Sequence, residues 1–430
     1  MTSPSVGRAA QSSVYRAGAL GTRPWVPVAP VRLERAARRA MSRRAWAYVA
    51  GSAGTEATAA ANRAAFDRWH LVPRVLRDVA TRDLSTEVLG RHRDTPLVLA
   101  PMGAMGLVRG DADVAVARAA AAAGVPYVAS TQASAPMEET ARAVDGAEWW
   151  FQLYWSKDDE LVTSLVRRAE AAGASALVVT LDTHVLGWRA RDLDLGHLPF
   201  ARGEGIAQYT SDPVFVDLVR RRAAAAVASG PRPRPTPAAL ATLASIARRH
   251  PGRSFAERLR SPLPRAAVET FLDVFSRSDL TWDHLAWLRE RTRLPIVLKG
   301  IQHADDAERA LDAGVDGVVV SNHGGRQVDG AVGALDALPA VVARVDGRVP
   351  VLFDSGVRGG ADVAKALALG ADLVGLGRPW AYGLAVGGSE GVDEVLRNVL
   401  AELDLTMALV GVRTVRDLRD DDVLVPATGR

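Results

Sequence analysis

Short apolar runs recur along this chain, each followed by an alanine-rich stretch whose polar positions return with helical spacing. Eight runs stand out: Pro96–Pro101, Val125–Ser130, Trp149–Tyr154, Ala176–Asp182, Pro295–Gly300, Val315–Asn322, Pro350–Asp354 and Ala371–Gly377. Between them the spacing predicts helices over Asp111–Ala123, Asp158–Ala172, Ala304–Ala313 and Gly360–Leu369. Glycines 124, 173, 314 and 370 follow these helices and read as C-caps. Strands that are apolar throughout and alternate with helices imply a parallel sheet covered on both faces. Eight such units over about 280 residues point to an α/β fold, a TIM (β/α)8 barrel rather than a doubly wound sheet.

The regularity is interrupted in two places. Residues 1–95 precede the barrel as an N-terminal helical extension, with helices from about 31 to 68 and Ala47-Tyr-Val-Ala-Gly51 between them. Between the fourth and fifth runs about 100 residues stand where one helix is expected, so residues 193–280 read as an inserted lid within the barrel of residues 96–400. Its first part, Leu195–Asp212, is rich in glycine and polar residues and reads as mobile. Its middle, about 217–278, mixes helical patches with the proline run Gly230–Pro237, a semi-rigid spacer or disordered segment. Residues 401–430 form a C-terminal tail.

Composition narrows the choice of function. The chain of 430 residues has no cysteine, which excludes disulfides, thiolate metal sites and a cysteine nucleophile, and a reducing cytoplasm is the expected compartment. Apolar runs are all too short to span a bilayer, and the N-terminus lacks a signal-peptide core, so neither membrane insertion nor secretion is expected. The pI of about 9.7 suggests nucleic acid, but the net charge is only +4. Lys157, Lys299 and Lys365 are the only lysines, so the pI is high because arginine hardly titrates. The arginines are dispersed among acidic residues, and no nucleic-acid partner is expected.

In a barrel of this kind chemistry sits at the C-terminal ends of the strands. Polar residues collect there: Gln152 and Tyr154, Thr180 and Asp182, Lys299, Ser321-Asn322-His323, Asp354, and Gly377-Arg378. His323 is followed by two glycines that remove side-chain bulk, with Arg326 a turn away. A neutral imidazole beside a guanidinium suits a substrate with both an abstractable proton and a carboxylate. Lys299 reads in three ways: a lysine snorkelling at the rim, a Schiff-base lysine, or a fixed positive charge beside a cofactor that becomes anionic. The loops after the last two runs, Asp354–Gly360 with Gly356 and Arg358, and Gly375–Arg378, have glycines and arginines where such barrels bind phosphate; ordinary glycine turns are the alternative. No cluster of carboxylates and histidines at one rim position offers metal ligands.

Together, Ser321-Asn-His-Gly-Gly-Arg-Gln327, Phe353-Asp-Ser-Gly-Val-Arg358, Lys365-Ala-Leu-Ala-Leu-Gly-Ala371, Gly377-Arg-Pro379, Phe151-Gln-Leu-Tyr154 and Leu181-Asp-Thr183 resemble the FMN-dependent 2-hydroxy-acid oxidase and dehydrogenase family. The likeness runs from about residue 30 to 410, apart from roughly 217–278. Within the family, Tyr48–Gly54, Ala100–Gly103, Leu186–Asp192, Ser211–Phe215 and Ala381–Ala385 are most similar to the lactate monooxygenase branch.

The resemblance implies that FMN lies across the barrel mouth. Arg358, Gly377 and Arg378, with Gly356, would hold its phosphate, and Asp354 its ribityl chain. Ala100, Met102, Gly103, Ser130, Gln152, Thr180 and Ser321 would surround the ring, with Lys299 at the edge where negative charge collects on reduction. The substrate carboxylate would meet Arg326 and Arg189 with Tyr48, while Tyr154 would contact the hydroxyl. His323 would take the hydroxyl proton as hydride passes to flavin N5, and Asp182 would stabilise the imidazolium. The resemblance makes L-lactate and O2 the expected substrates, with acetate, CO2 and water as products. Gly103, where the family's oxidases tend to carry alanine, would change the room for oxygen. The inserted segment, with Tyr209, would be the lid that holds the keto acid. The alternatives are an oxidase releasing hydrogen peroxide or a dehydrogenase acting on a bulkier acid such as mandelate, and a barrel that only binds or scaffolds. A homo-oligomer, tetramer or octamer, is the expected assembly.

Overall fold

The structure, a computed structural model, describes residues 5–225, 236–420 and 422–427. The eight apolar runs form eight parallel strands: β1 (Leu97–Leu99), β2 (Tyr127–Ser130), β3 (Trp149–Leu153), β4 (Leu177–Thr180), β5 (Ile296–Ile301), β6 (Gly317–Val320), β7 (Val351–Phe353) and β8 (Leu373–Leu376). They pair in sequence order, and β8 returns to β1, so the sheet closes into a (β/α)8 barrel.

Alternate residues explain why these strands are apolar on both faces. Val98, Val128, Trp150, Val178, Val297, Val319, Leu352 and Leu373 form an interior cluster, while Leu99, Phe151, Val179, Leu298, Val320 and Phe353 belong to the cluster that includes the surrounding helices. The helices expected between them lie at Ala112–Ala122, Asp159–Ala171, Ala304–Asp312 and Gly360–Ala368. Their following glycines, 124, 173, 314 and 370, all have positive φ, as an αL C-cap requires.

The flanking segments differ from expectation. The N-terminal extension contains helices Val6–Ala19, Pro30–Ala40, Arg43–Ala50 and Ala57–Asp67, but also strand pairs: Trp69–Leu71 with Leu424–Pro426, and the hairpin Thr86–Val88 with Arg91–Arg93. Val88 of that hairpin joins the barrel's interior cluster. Ala47–Ala50 does not separate two helices; it ends the helix Arg43–Ala50, and Gly51 is the C-cap. The tail expected from residue 401 begins inside a helical segment, Arg378–Val410, that is kinked at Gly387 and Gly388.

The insertion is also not the mobile lid expected. Its first part folds into the turn Phe200–Arg202 and the short helix Ala207–Thr210, with Phe200, Ile206 and Tyr209 buried. Gln208 accepts from the Met137 amide at 2.8 Å, and Asp212 pairs with Arg168 at 3.2 Å, which ties this part to the barrel's helices. Helices Pro213–Ala225, Pro237–Arg249, Phe255–Arg260 and Leu263–Val274 follow. Most of the proline run lies outside the described residues. Among the described residues no helix is long and apolar enough to cross a membrane.

Candidate active site

A cleft opens at the C-terminal ends of the strands. It is lined by the expected residues Tyr48, Ala100, Met102, Gly103, Tyr154, Arg189, Lys299, His323, Arg326, Asp354, Gly356, Arg358, Gly377 and Arg378. Five cationic side chains and one carboxylate are among them, an excess of positive charge suited to anions.

His323 follows β6 in a left-handed conformation, φ 57°, which costs a residue with a Cβ about 1–3 kcal/mol. The neighbours hold it there. Its amide donates to Ser321 Oγ at 3.1 Å, the Gly324 amide to Ser355 Oγ at 3.0 Å, and the Gly325 amide to Asn322 Oδ1 at 3.1 Å. Asn322 exchanges amide hydrogen bonds of 2.7 and 2.8 Å with Asn62, so the N-terminal extension braces this loop. The ring's Nδ1 lies 3.1 Å from Asp182 Oδ1, which assigns the proton to Nδ1 and leaves Nε2 as the free lone pair. Thr183 Oγ1 donates to the same carboxylate oxygen at 3.0 Å.

Burial lowers the His323 pKa more than Asp182 raises it, and Lys299 and Arg189 lower it further, so the resting imidazole is neutral. Burial alone would raise Asp182, but the attraction and hydrogen bond of His323, with Lys299 and Thr183, outweigh it and hold the carboxyl below its ordinary range. The pair is therefore a neutral base against an ionised carboxylate. Asp182 reaches this position because β5 has a bulge after Lys299: Gly300 has φ 110°, and a Cβ there would lie 2.8 Å from the Asp182 Cβ. Only glycine lets the two backbones approach so closely.

Lys299 lies opposite Thr180 in the β4–β5 register. Its ammonium donates to Ser321 Oγ at 2.7 Å and pairs with Asp354 Oδ2 at 3.0 Å. Burial pulls its pKa down, yet Asp354 and Asp182 together raise it above the ordinary value, so the buried charge is permanent. Its partners argue against a neutral, Schiff-base amine.

Arg326 stacks over the Tyr48 ring at 4.8 Å and donates to the carbonyls of Tyr48 and, at 2.8 Å, Gly51. Burial first, then Arg189, lowers its pKa to about 9, so it is still cationic at pH 7. Arg189 donates to Gln327 Oε1 at 3.2 Å, and its buried Nε has no partner. Arg378 also holds the Tyr48–Ser52 segment, donating to Val49, Gly51 and Ser52 at 2.9 to 3.0 Å. Burial and then Arg358 lower its pKa to about 10. Neither Arg358 nor Arg378 makes an ion pair among the described residues.

Ser130, Gln152, Thr180 and Ser321 are buried, and Asp182 half-buried, at or just beyond strand ends rather than lining the cleft. Ser130 donates to Gln152 Oε1 at 3.0 Å, whereas Gln152 Nε2 and Thr180 Oγ1 are buried without a partner. Tyr209 is not in the cleft. It is fully buried in an aromatic cluster, 4.8 Å from the Phe271 ring and 5.4 Å from Phe215. Gly103 does not open room, because a Cβ there would meet the Gln132 Cβ at 2.7 Å. Sequence reasoning did not identify Met105, Gln132, Thr183, Leu186, Phe275, Gly324 or Ser355 as lining residues. Thr183, Gly324 and Ser355 stand inside the motifs already singled out, whereas Phe275 has no local signal at all.

Residues 37–425 match the family of FMN-dependent dehydrogenases. The chain belongs to that family. It is 43% identical over 412 residues to an FMN-dependent alpha-hydroxy acid dehydrogenase of Penicillium citrinum, covering 96% of this chain and 94% of the relative. It is 39% identical to an L-lactate oxidase of Lysinibacillus sphaericus, covering 91% and 92%. A crystal structure of mandelate oxidase with (S)-4-hydroxymandelic acid superposes with a TM-score of 0.76 at 36% identity, covering 94% and 99%. The chain is thus a TIM-barrel flavoenzyme of the FMN-dependent 2-hydroxy-acid oxidoreductase family, with FMN as its cofactor.

Proposed function

We propose that this chain oxidises an L-2-hydroxy acid, of which L-lactate is the smallest, to the 2-keto acid with O2 as the oxidant. One observation carries the reading: the His323–Asp182 pair faces Arg189 and Arg326 across a single cleft. The two arginines hold the carboxylate, with the unpartnered Arg189 Nε as a spare donor. Tyr154, which burial keeps protonated, donates to the hydroxyl oxygen. His323 Nε2 accepts the hydroxyl proton, and Asp182 holds the Nδ1–H and stabilises the imidazolium that forms.

FMN fits the remaining residues. The unpartnered Gln152 Nε2 and Thr180 Oγ1 suit a ring with polar edges, and Arg358, in the loop after β7, with Arg378, at the head of the helix that follows β8, suit a phosphate. Gly356 and Gly377 would flank that phosphate, Asp354 would hold the ribityl chain, and Ala100, Met102, Gly103, Ser130 and Ser321 would surround the ring. Lys299, which keeps its positive charge, would stand by the ring. When bound, FMN supplies the two-electron acceptor for the hydride leaving C2.

Two outcomes with O2 balance: keto acid plus hydrogen peroxide, or, from lactate, acetate, CO2 and water. The second requires the keto acid to be retained. The support for retention is that Arg326 and Arg378 together grip the backbone of Tyr48–Ser52, a segment whose Tyr48 and Val49 line the cleft. The test is to add L-lactate and then mandelate to the purified yellow protein without air, admit air, and measure peroxide against CO2. Bleaching by a 2-hydroxy acid is expected. No bleaching by any of them overturns the function, and stoichiometric peroxide overturns retention alone.

A further inference from the structure

Among the described residues of the inserted segment 193–280, Phe275 is the one that lines the cleft, and its surroundings give that residue a purpose. A 2-hydroxy acid has three groups on C2 besides hydrogen. In the proposed function the carboxylate goes to Arg189 and Arg326 and the hydroxyl to His323 and Tyr154. Of the lining given no role in that reading, Met105, Gln132, Leu186 and Phe275 are uncharged and are left for the side chain.

Phe275 is held firmly. It caps the helix Leu263–Val274, its amide donating to the Phe271 carbonyl at 2.9 Å. The preceding carbonyl, Val274 O, accepts from Ser156 Oγ at 2.8 Å and the Lys157 amide at 2.9 Å, just beyond Tyr154. The ring stacks on Phe271 at 5.0 Å and 13° and lies 6.2 Å from Phe200. Phe271 and Phe200 are themselves fully buried, and Phe271 is backed by Tyr209. Moving Phe275 away would open a void in a close-packed aromatic cluster, so it is a fixed wall rather than a lid.

We infer that the insertion sets the substrate class: Phe275 selects 2-hydroxy acids with an uncharged, apolar side chain larger than methyl, an aryl group above all. The inference rests on the proposed function. A methyl group leaves the half-buried ring facing water, whereas a larger apolar group covers it. A charged side chain would meet no partner on this wall.

The test compares anaerobic bleaching, as kcat/KM, for mandelate, L-lactate and L-malate in the FMN-loaded wild type and in Phe275→Ala. Mandelate should exceed lactate by about tenfold or more, with malate lowest. The alanine variant should lower the mandelate-to-lactate ratio by about 10- to 100-fold. If Phe275→Ala does not retain FMN, the ratio is read on Phe275→Leu, where a smaller drop is expected. A wild type that prefers lactate or malate, or a ratio unchanged in the variant, overturns the inference and leaves the proposed function standing. Absence of bleaching with all three acids overturns the function itself.

Discussion

Replacing Asp182 by asparagine is the most direct test of the chemistry, because it removes one charge and little volume. Opposite unit charges 3.1 Å apart attract by about 5 kcal/mol at an effective dielectric of about 20. That attraction exists only once His323 is protonated, so its loss falls on the step in which the proton moves. At 1.36 kcal/mol per power of ten, the cost is roughly 10³- to 10⁴-fold. An amide NH₂ turned toward Nδ1 would also favour the wrong tautomer, with its proton on Nε2. The assay is anaerobic stopped-flow of flavin bleaching over a range of pH. The base must be neutral, so the rate falls as pH drops through the His323 pKa, already below the ordinary histidine value. Without Asp182, which raises that pKa, the acid limb should move to still lower pH while the plateau falls. A variant with normal FMN content that bleaches within tenfold of wild type would refute the assignment of His323 and Asp182 as base and partner.

Four further outcomes are expected. Gln327 donates to the carbonyls of Asp182 and Val185 at 2.8 Å and accepts from Arg189, so Gln327→Met should raise KM about 10- to 100-fold and lower kcat less, as steady-state kinetics would show. Arg358→Met should weaken FMN binding about 10- to 100-fold by fluorescence titration, yet leave the apoprotein no less stable, since it removes a half-buried, desolvated cation that has no ion-pair partner among the described residues. Gly103→Ala should cost about 1–3 kcal/mol by overpacking against Gln132, seen as a lower melting temperature that Gln132→Ala, which keeps the clashing Cβ, does not restore. Asp113 is fully buried, and burial raises its pKa to about 6, so its contribution to stability is greatest below about 3.8 and is lost as pH rises through 6. Relative to Asp113→Asn the wild type should lose about 3 kcal/mol across that window, about 2 of it between pH 4.5 and 7 by urea unfolding.

Much of the site was legible because its residues stand at strand ends that the apolar pattern marks. Lys299, His323, Asp354 and Arg378 each follow or end an apolar run, and in a parallel barrel those ends converge. The Asn62–Asn322 pair was not legible. It joins residues 260 positions apart, and no local pattern reports which helix of the extension will lie against the β6 loop. Tyr209 misled for a related reason: glycine and polar residues around it read as loop, while its own ring packs against Phe215 and Phe271, one of them far along the chain.

By itself the sequence determined the barrel, its closure order and the rim that carries the chemistry, because apolar alternation and helix caps are local signals and parallel connectivity leaves few topologies. Only the tertiary structure decided that the insertion is a packed wall, that Phe275 reaches the cleft, and that the space beside Gly103 belongs to Gln132. Those depend on which side chains meet across distant segments, and packing of that kind is settled by the volume and shape of neighbours that adjacency in sequence does not record.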